Sequence, residues 1–147
     1  MRKLIAASAI LALAIPAASQ KTTVSPVGYA TKEGNSNNTY PWYMPFHYMQ
    51  GHGDLRNKPM AVRGQSHRRD GTLGNFTSAV ARTTTCTIWV GETDDTKVTT
   101  TFATNWIGKP TVAFKGVVKQ PDWVTKPATP PAPFNFTIMY TTPAVYT

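Results

Sequence analysis

Histidine and carboxylate side chains are the residues of this chain whose chemistry could support metal binding. His47, His52 and His67, together with Asp54, form the one grouping of types that bind transition metals. Imidazole nitrogens and a carboxylate oxygen can hold zinc, but known zinc sites place their ligands at characteristic spacings that this grouping does not match. We therefore expect loop or surface histidines here and no metal or other cofactor.

The acidic residues, serines and cysteine of the chain do not lie in known catalytic motifs. The acidic stretch Glu92, Asp94 and Asp95 has neither the glycine nor the distal glutamate of an EF-hand, so a solvated turn is favoured. No acidic pair is set to flank a glycosidic bond, and no serine lies in a Gly-x-Ser-x-Gly elbow. Cys86, the single cysteine, has no identifiable histidine partner and reads as a buried structural residue. The sequence predicts a protein that is not an enzyme.

One aromatic segment is the candidate for ligand binding. Residues 40–49 read YPWYMPFHYM, and the two prolines exclude a regular helix or a central strand. Exposed aromatic rings stack on sugars and contribute strongly to protein interfaces, whereas packed rings would cover the end of a core. Both interpretations stay open, with packing favoured by the prolines. The candidate ligand-binding residues are Tyr40, Trp42, Tyr43, Phe46 and Tyr48.

The beginning of the chain has the parts of a secretory signal peptide. A basic start at Arg2 and Lys3 precedes an apolar run over residues 4–15, and small residues suited to signal peptidase follow it. The run is too short to span a bilayer as a stable helix, which needs roughly 20 residues. We predict a signal peptide over residues 1–19, one domain over residues 20–147 that does not span the membrane, and a secreted, periplasmic or cell-surface location.

The predicted mature chain is basic, but its cations are scattered. The chain has 15 Lys and Arg against 7 Asp and Glu, and removing the signal peptide leaves 13 against 7, a net charge of +6. Basic proteins attract anionic polymers and surfaces. Apart from Arg68 and Arg69 there is no basic run, and no basic helix is visible. We therefore expect a solvated basic surface and no nucleic acid partner.

Strand signals dominate the region after the signal peptide. Its many threonines, with 12 prolines and 10 glycines in the whole chain, disfavour helix. The strand over residues 79–91 should bury the side that carries Cys86 and Ile88 and expose the side that carries Trp89. Several short strands at about ten-residue intervals predict an all-β fold, specifically an antiparallel, jelly-roll-like β-sandwich. The other predicted elements are strands over 21–29, around 60–63, over 97–105 as the hairpin partner of 79–91, over 111–119 with a bulge at Gly116, and over 134–140, with a proline-rich connection over 120–133.

Six short motifs spread over most of the chain carry a family resemblance. They are NNTYPW at 37–42, HYMQ at 47–50, RRDG at 68–71, FATN at 102–105, FKG at 114–116 and PFNF at 133–136. Together they resemble uncharacterised exported bacterial proteins, some of which end in a sorting tail of the PEP-CTERM type. The resemblance implies a secreted β-sandwich with no established activity, substrate or cofactor. Because that pattern continues beyond the last residues of this chain, it also implies a shortened sandwich with an open edge.

Three functions stand as hypotheses. A structural or adhesive component of the cell surface or envelope is favoured, because the signal peptide and the strand-rich composition accompany no catalytic set. A carbohydrate-binding module would use the aromatic segment over 40–48 and the basic charge to bind acidic polysaccharide. A secreted hydrolase is third and would need paired carboxylates or a nucleophile beside a histidine. A cell-surface polysaccharide or an envelope protein is the corresponding partner.

Overall fold

The fold is described by a computed structural model of the chain. It describes residues 21–34, 49–55, 59–71, 74–75 and 77–146. The predicted signal peptide therefore lies outside the described residues. The same is true of the five candidate ligand-binding residues, Tyr40, Trp42, Tyr43, Phe46 and Tyr48.

Antiparallel strands dominate the described residues, and helix is limited there to short 3-10 segments at Gly53–Leu55 and Phe102–Thr104. Strand β1 pairs with β4 and β2 pairs with β3, which gives two two-stranded antiparallel sheets. The all-β prediction is confirmed for this part of the chain, in which no helix is long and apolar enough to cross a membrane. The strands are β1 (Met60–His67), β2 (Arg82–Glu92), β3 (Ile107–Gln120) and β4 (Phe136–Tyr146).

The β2–β3 pair matches the strands predicted at 79–91 and 111–119 but corrects their connection. The segment 97–105 is not the partner of β2, because it lies in the loop between the two strands. The buried Asn105 side chain explains this: its amide oxygen and nitrogen bind the backbone N–H and carbonyl of Thr99, each at 2.8 Å. Local side-chain bonds of this kind compete with a strand ladder.

A bulge in β3 falls at a different residue from the one predicted. Gly116 pairs in register with Cys86, so it is not bulged. The register shifts closer to the start of β3, where Ala113 is the extra residue opposite β2. Ala113 is fully buried, and its carbonyl oxygen accepts a hydrogen bond from the Thr141 hydroxyl at 3.2 Å. The bulge therefore marks the point where β3 meets β4.

The strand predicted over 21–29 is absent. The chain turns there instead, and the N–H of Tyr29 donates to the carbonyl oxygen of Pro26 at 3.3 Å. Proline favours turns because its φ is fixed and it has no N–H to donate to a ladder. Strand β4 begins later than predicted and continues past Pro143, which lies in a register irregularity opposite β1.

Both sheets contribute to one apolar cluster. The cluster confirms that the side of β2 carrying Cys86 and Ile88 faces the core. Burial raises the pKa of the Cys86 thiol, which keeps the sulfur protonated and poorly nucleophilic, in keeping with the structural role predicted for it. Buried members are Ala79, Val118, Trp123, Phe136 and Ile138, and Cys86, Ile88 and Phe114 pack against them.

Arg69 is a buried structural residue and departs from the solvated basic surface that was expected for the cations of the chain. Its side chain is 8% exposed. The guanidinium donates hydrogen bonds to the carbonyl oxygens of Trp123, at 2.7 Å, and of Asp70 and Gly74. A buried cation is tolerated only when its donors find acceptors. The residues after β1 are thereby tied to the connection after β3.

Arg68 and Glu33 attach the N-terminal described segment to the same region. The Arg68 guanidinium donates to the carbonyl oxygen of Lys32. The Glu33 carboxylate accepts the backbone N–H groups of Gly71, at 2.8 Å, and Ala132, at 3.2 Å. A Cβ at Gly71 would lie 2.8 Å from a Glu33 carboxylate oxygen, so a larger residue there would displace that carboxylate.

Removing the Arg69 guanidinium should destabilise the fold. We expect Arg69→Met to lower the free energy of unfolding by about 2–4 kcal/mol, because three carbonyl groups lose a charged donor. The control Arg63→Met changes an exposed arginine of β1 and should have an effect below about 0.5 kcal/mol. Urea denaturation followed by circular dichroism measures both variants. Similar losses in the two would contradict the anchoring role of Arg69.

Candidate functional site

The outward face of the β2–β3 sheet is the strongest candidate for a binding site in the described residues. It combines an exposed tryptophan, hydroxyl groups and cations on one surface. β2 supplies Thr83, Thr85, Thr87 and Trp89, and β3 supplies their respective cross-strand partners Lys119, Val117, Lys115 and Val112. This set is referred to below as the Trp89 face.

Strand alternation produces the face, as the sequence predicts for the solvent side of β2. Successive side chains of a strand point to opposite sides, so Trp89 points outward while Ile88 points inward. On β3 the bulge at Ala113 matters. Val112 and Lys115 are three residues apart and would face opposite ways in a regular strand, but the extra residue brings both outward.

The apolar side chains of the face are exposed to solvent. Trp89 is 48% exposed, its cross-strand neighbour Val112 46% and Val117 57%. Tryptophan side chains are highly buried on average, and apolar residues grouped on a surface commonly mark interaction sites. Trp89 and Val112 are directly opposed cross-strand neighbours, so their exposed side chains lie next to each other on the face.

The Trp89 face is also basic. Lys115 and Lys119 are exposed on it, four residues apart on one strand and therefore about 13 Å apart along β3. No carboxylate side chain occurs in β2 before Glu92 or in β3 at all. The face therefore presents positive charge without an acidic neighbour on its outward positions.

Three threonine hydroxyls complete the chemistry of this surface. Thr83, Thr85 and Thr87 form a row along β2 beside the two lysines and the valine of β3. Each hydroxyl can donate one hydrogen bond and accept two. A sheet face of this kind offers ring stacking, hydrogen bonds and ionic contacts, but it does not enclose a small molecule as a pocket would.

A small cleft lies at the end of the same sheet, beside β4. Its volume is about 140 Å³, and Glu92, Lys109 and Tyr146 are among its lining residues. Burial, with the negative charge of Glu92, raises the pKa of the Tyr146 hydroxyl. Among the described lining residues Glu92 is the one carboxylate, whereas glycoside hydrolysis normally uses two. The cleft is also smaller than typical small-molecule sites, which have roughly 300–1,000 Å³.

Ser25, His52 and Asp54 form the cluster that comes nearest to a catalytic constellation. The Ser25 Oγ atom lies 2.6 Å from His52 Nδ1 and donates to the Asp54 carboxylate at 2.5 Å. In a Ser-His-Asp triad the imidazole lies between the other two groups and removes the serine proton. Here the serine lies in the middle and its proton is directed to the carboxylate. The cluster therefore does not have the order of a Ser-His-Asp triad.

The three histidines are not brought together as a metal site within the described residues. His47 lies outside them, and no group of three or more His, Cys, Asp and Glu side chains in the described part of the chain could hold a metal ion. His52 is exposed and bonded to Ser25. His67 lies in β1 and is half-buried, which corrects the expectation of a loop or surface residue.

His67 belongs to a hydrogen-bonded row on the core side of the β1–β4 sheet. The Tyr140 hydroxyl donates to Gln65 Oε1 at 2.7 Å, and Gln65 Nε2 lies 2.9 Å from His67 Nε2. The Gln65 amide nitrogen can only donate, so His67 Nε2 accepts and carries no proton. Burial, with the positive charge of His52, lowers the pKa of His67 to about 4, and burial raises the pKa of Tyr140 to about 12. Both side chains are neutral at physiological pH.

Asp94 and Asp95 lie in a turn after β2, as predicted, whereas Glu92 is the last residue of that strand. The N–H of Lys97 donates to the carbonyl oxygen of Asp94 at 3.0 Å, and the side chains of the two residues form an ion pair at 2.7 Å. Hydrogen bonds from Lys97 and Thr96 lower the pKa of the Asp94 carboxyl to about 2. These carboxylate contacts are local and serve the turn.

No protein-family model, curated protein or solved structure matches this chain. The resemblance to exported bacterial proteins therefore remains a prediction. The function has to be argued from the residues of the chain itself, and the Trp89 face is the surface on which they are best arranged for binding.

Sequence reasoning did not select the Trp89 face as a site. The exposed side of β2 was visible in the alternation over residues 79–91, which places Trp89 among threonines. Its lysines were not, because they lie on β3, whereas the sequence pattern favours the segment 97–105 as the partner strand. The missing signal was the pairing between β2 and β3.

Protonation of His67 should make the stability depend on pH. Its pKa is 6.5 in an unfolded chain and about 4 in the fold, so between these values only the unfolded state binds the proton. Stability is therefore lost as the pH falls from 6.5 to about 4, with no further loss from this residue below that. The loss due to His67 should reach about 3 kcal/mol.

The variant His67→Gln isolates this contribution. It keeps a hydrogen-bonding side chain beside Gln65 but cannot be protonated, so its loss of stability across the same pH interval should be smaller than that of the unchanged protein. Urea midpoints measured at a series of pH values give the difference. Parallel curves for the two proteins would show that His67 is not held neutral by the fold.

Proposed function

We propose that this chain is an exported, non-catalytic protein of the cell surface or envelope that acts by binding through a β-sheet surface. The observation that carries the proposal is the Trp89 face, which exposes Trp89 and Val112 side by side between threonines and lysines. A protein that keeps an apolar pair of this size in water loses the benefit of burying it unless a partner covers it. The signal-peptide pattern over residues 1–19 supports export.

The complete fold proposed with this function is an antiparallel, jelly-roll-like β-sandwich. Support comes from the shared cluster, in which Val118 of β3 lies with Phe136 and Ile138 of β4, so that each sheet covers apolar residues of the other. Two sheets that share a core in this way are the basic unit of a sandwich. The resemblance to exported bacterial proteins with PEP-CTERM-type members favours the same fold.

The arrangement of polar groups supports a non-catalytic role. The Ser25 cluster has its serine in the place where a hydrolase has its imidazole. The cleft beside Glu92 offers one carboxylate. Burial keeps the Cys86 thiol protonated. Each of these would need rearrangement before it could activate a nucleophile, so the hydrolase hypothesis is the weakest of the three.

A carbohydrate-binding module is the second candidate. The exposed indole of Trp89 favours it, since aromatic platforms are common sugar-stacking surfaces. The sequence hypothesis places such binding on the aromatic segment over 40–48. Residues on either side of that segment are anchored: Glu33 binds two backbone N–H groups, and the Sδ atom of Met49 lies 3.4 Å from the Asn105 amide nitrogen.

Binding to cell envelopes tests the proposed function. Purified residues 20–147 should sediment with envelope fractions of the producing organism, and Trp89→Ala should reduce the bound fraction several-fold. Met139→Ala removes a similarly exposed apolar side chain from the outer side of β4 and serves as the control. No sedimentation above that of an unrelated basic protein, or turnover of glycosides, esters or peptides abolished by one substitution, would reject the proposal.

Export can be tested separately. In a secretion-competent bacterial host, the product should appear outside the cytoplasm, and mass spectrometry should find Gln20 as its first residue. Leu11→Arg places a charge in the middle of the apolar run and should block export, whereas Ser8→Ala should not. Cytoplasmic accumulation of the unchanged chain would remove the basis for a surface location.

A further inference from the structure

We infer that the Trp89 face binds an acidic polysaccharide, with Trp89 stacked on a sugar ring and Lys115 and Lys119 paired with carboxylate or sulfate groups farther along the polymer. The inference rests on the proposed function and deepens it by naming the ligand class and the residues that recognise it. The positions come from the β2–β3 register and the exposed fractions of the side chains.

The stacking platform is built by two strands. Trp89 and Val112 are directly opposed, and both side chains are about half exposed. The exposed part of the indole can therefore take a sugar ring, and the exposed valine opposite it adds apolar surface. Sugar rings present an apolar C–H face, which suits an exposed aromatic partner.

The spacing of the cations requires an extended ligand. Lys115 lies opposite Thr87, which is two residues or about 7 Å from Trp89 along β2. Lys119 lies about 13 Å farther in the same direction. A ligand that reaches all three side chains must be about 20 Å long with negative charge repeated along it, which describes a polymer and not a monosaccharide.

Charge and hydrogen bonding favour an acidic sugar polymer over a neutral one. The face carries two lysines and no carboxylate, so an anionic ligand meets no repulsion there. The hydroxyls of Thr83, Thr85 and Thr87 lie in line beside these lysines, and each can both donate to and accept from the hydroxyl groups of a sugar. A neutral glucan would use the indole and the threonines but leave both lysines without a partner.

Single-stranded nucleic acid is the competing polyanion, since bases also stack on tryptophan. The face fits it less well. Proteins that bind single-stranded nucleic acid have a positively charged groove that follows the phosphate backbone. On the Trp89 face, Val117 lies between the two lysines, and Trp89 is the one aromatic residue available for stacking. The row of hydroxyls matches the polar groups of sugars and offers bases no second stacking surface.

Calorimetry with defined polymers tests the inference. Polygalacturonate, a neutral glucan of similar length and oligo-dT are titrated into purified residues 20–147 at low and high salt. We expect polygalacturonate to bind most tightly and added salt to weaken it. Trp89→Ala should weaken this binding by about tenfold, and Lys115→Gln combined with Lys119→Gln should weaken it and reduce its salt dependence.

Matched controls exclude general effects of charge and surface loss. Lys126→Gln and Met139→Ala change exposed residues away from the face and should leave the affinity unchanged. The side chains of Trp89, Lys115, Lys119, Lys126 and Met139 are exposed, and circular dichroism verifies that the variants fold. A loss caused by Trp42→Ala and not by Trp89→Ala would transfer the binding to the aromatic segment and overturn the inference.

The remaining outcomes separate the inference from the proposed function. Equal affinity for oligo-dT or for the neutral glucan would overturn the assignment to acidic polysaccharide. Absence of polygalacturonate binding, with Trp89-dependent envelope sedimentation intact, would also overturn it while leaving the envelope function standing. Absence of both would reject the function as well.

Discussion

Three backbone carbonyl groups converge on the buried guanidinium of Arg69, and this convergence ties the residues after β1 to the connection after β3. One of the carbonyls belongs to Trp123, whose ring packs edge-on against Phe136 with centroids 5.9 Å apart. The indole N–H of Trp123 donates to Asn135 Oδ1 at 3.0 Å, immediately before β4. Arg69 thus fixes the tryptophan that closes the core, and through it the start of the strand that joins the two sheets.

The fold was predictable where the alternation of apolar and polar side chains shows which side of a strand is buried. Alternation along β2 placed Cys86 and Ile88 inward and Trp89 outward, because side-chain direction in a strand follows from spacing alone. The prediction that the segment 97–105 is a strand was wrong for a physical reason. Its threonines have high strand propensity, but a single amide, Asn105, satisfies the backbone of Thr99 on both sides and holds the segment as a loop.

The arginine pair and the binding face needed information that local patterns lack. Two adjacent arginines normally indicate solvent, and the acceptors that bury Arg69 include one more than 50 positions away in the sequence. The β2 half of the Trp89 face could be predicted from the sequence, since its threonines and tryptophan lie on one strand. Its lysines depend on a register that includes the bulge at Ala113, and no sequence period encodes that register.

The bulge at Ala113 separates two tasks within one strand. Lys115, Lys119 and Val112 lie on the outward side of β3, while the carbonyl of Ala113 accepts the Thr141 hydroxyl of the neighbouring sheet. Because different residues perform these tasks, the outward positions are free to vary through evolution without loosening the joint between the sheets. A lineage could retune what the surface recognises by exchanging exposed side chains alone, and inherit the architecture unchanged.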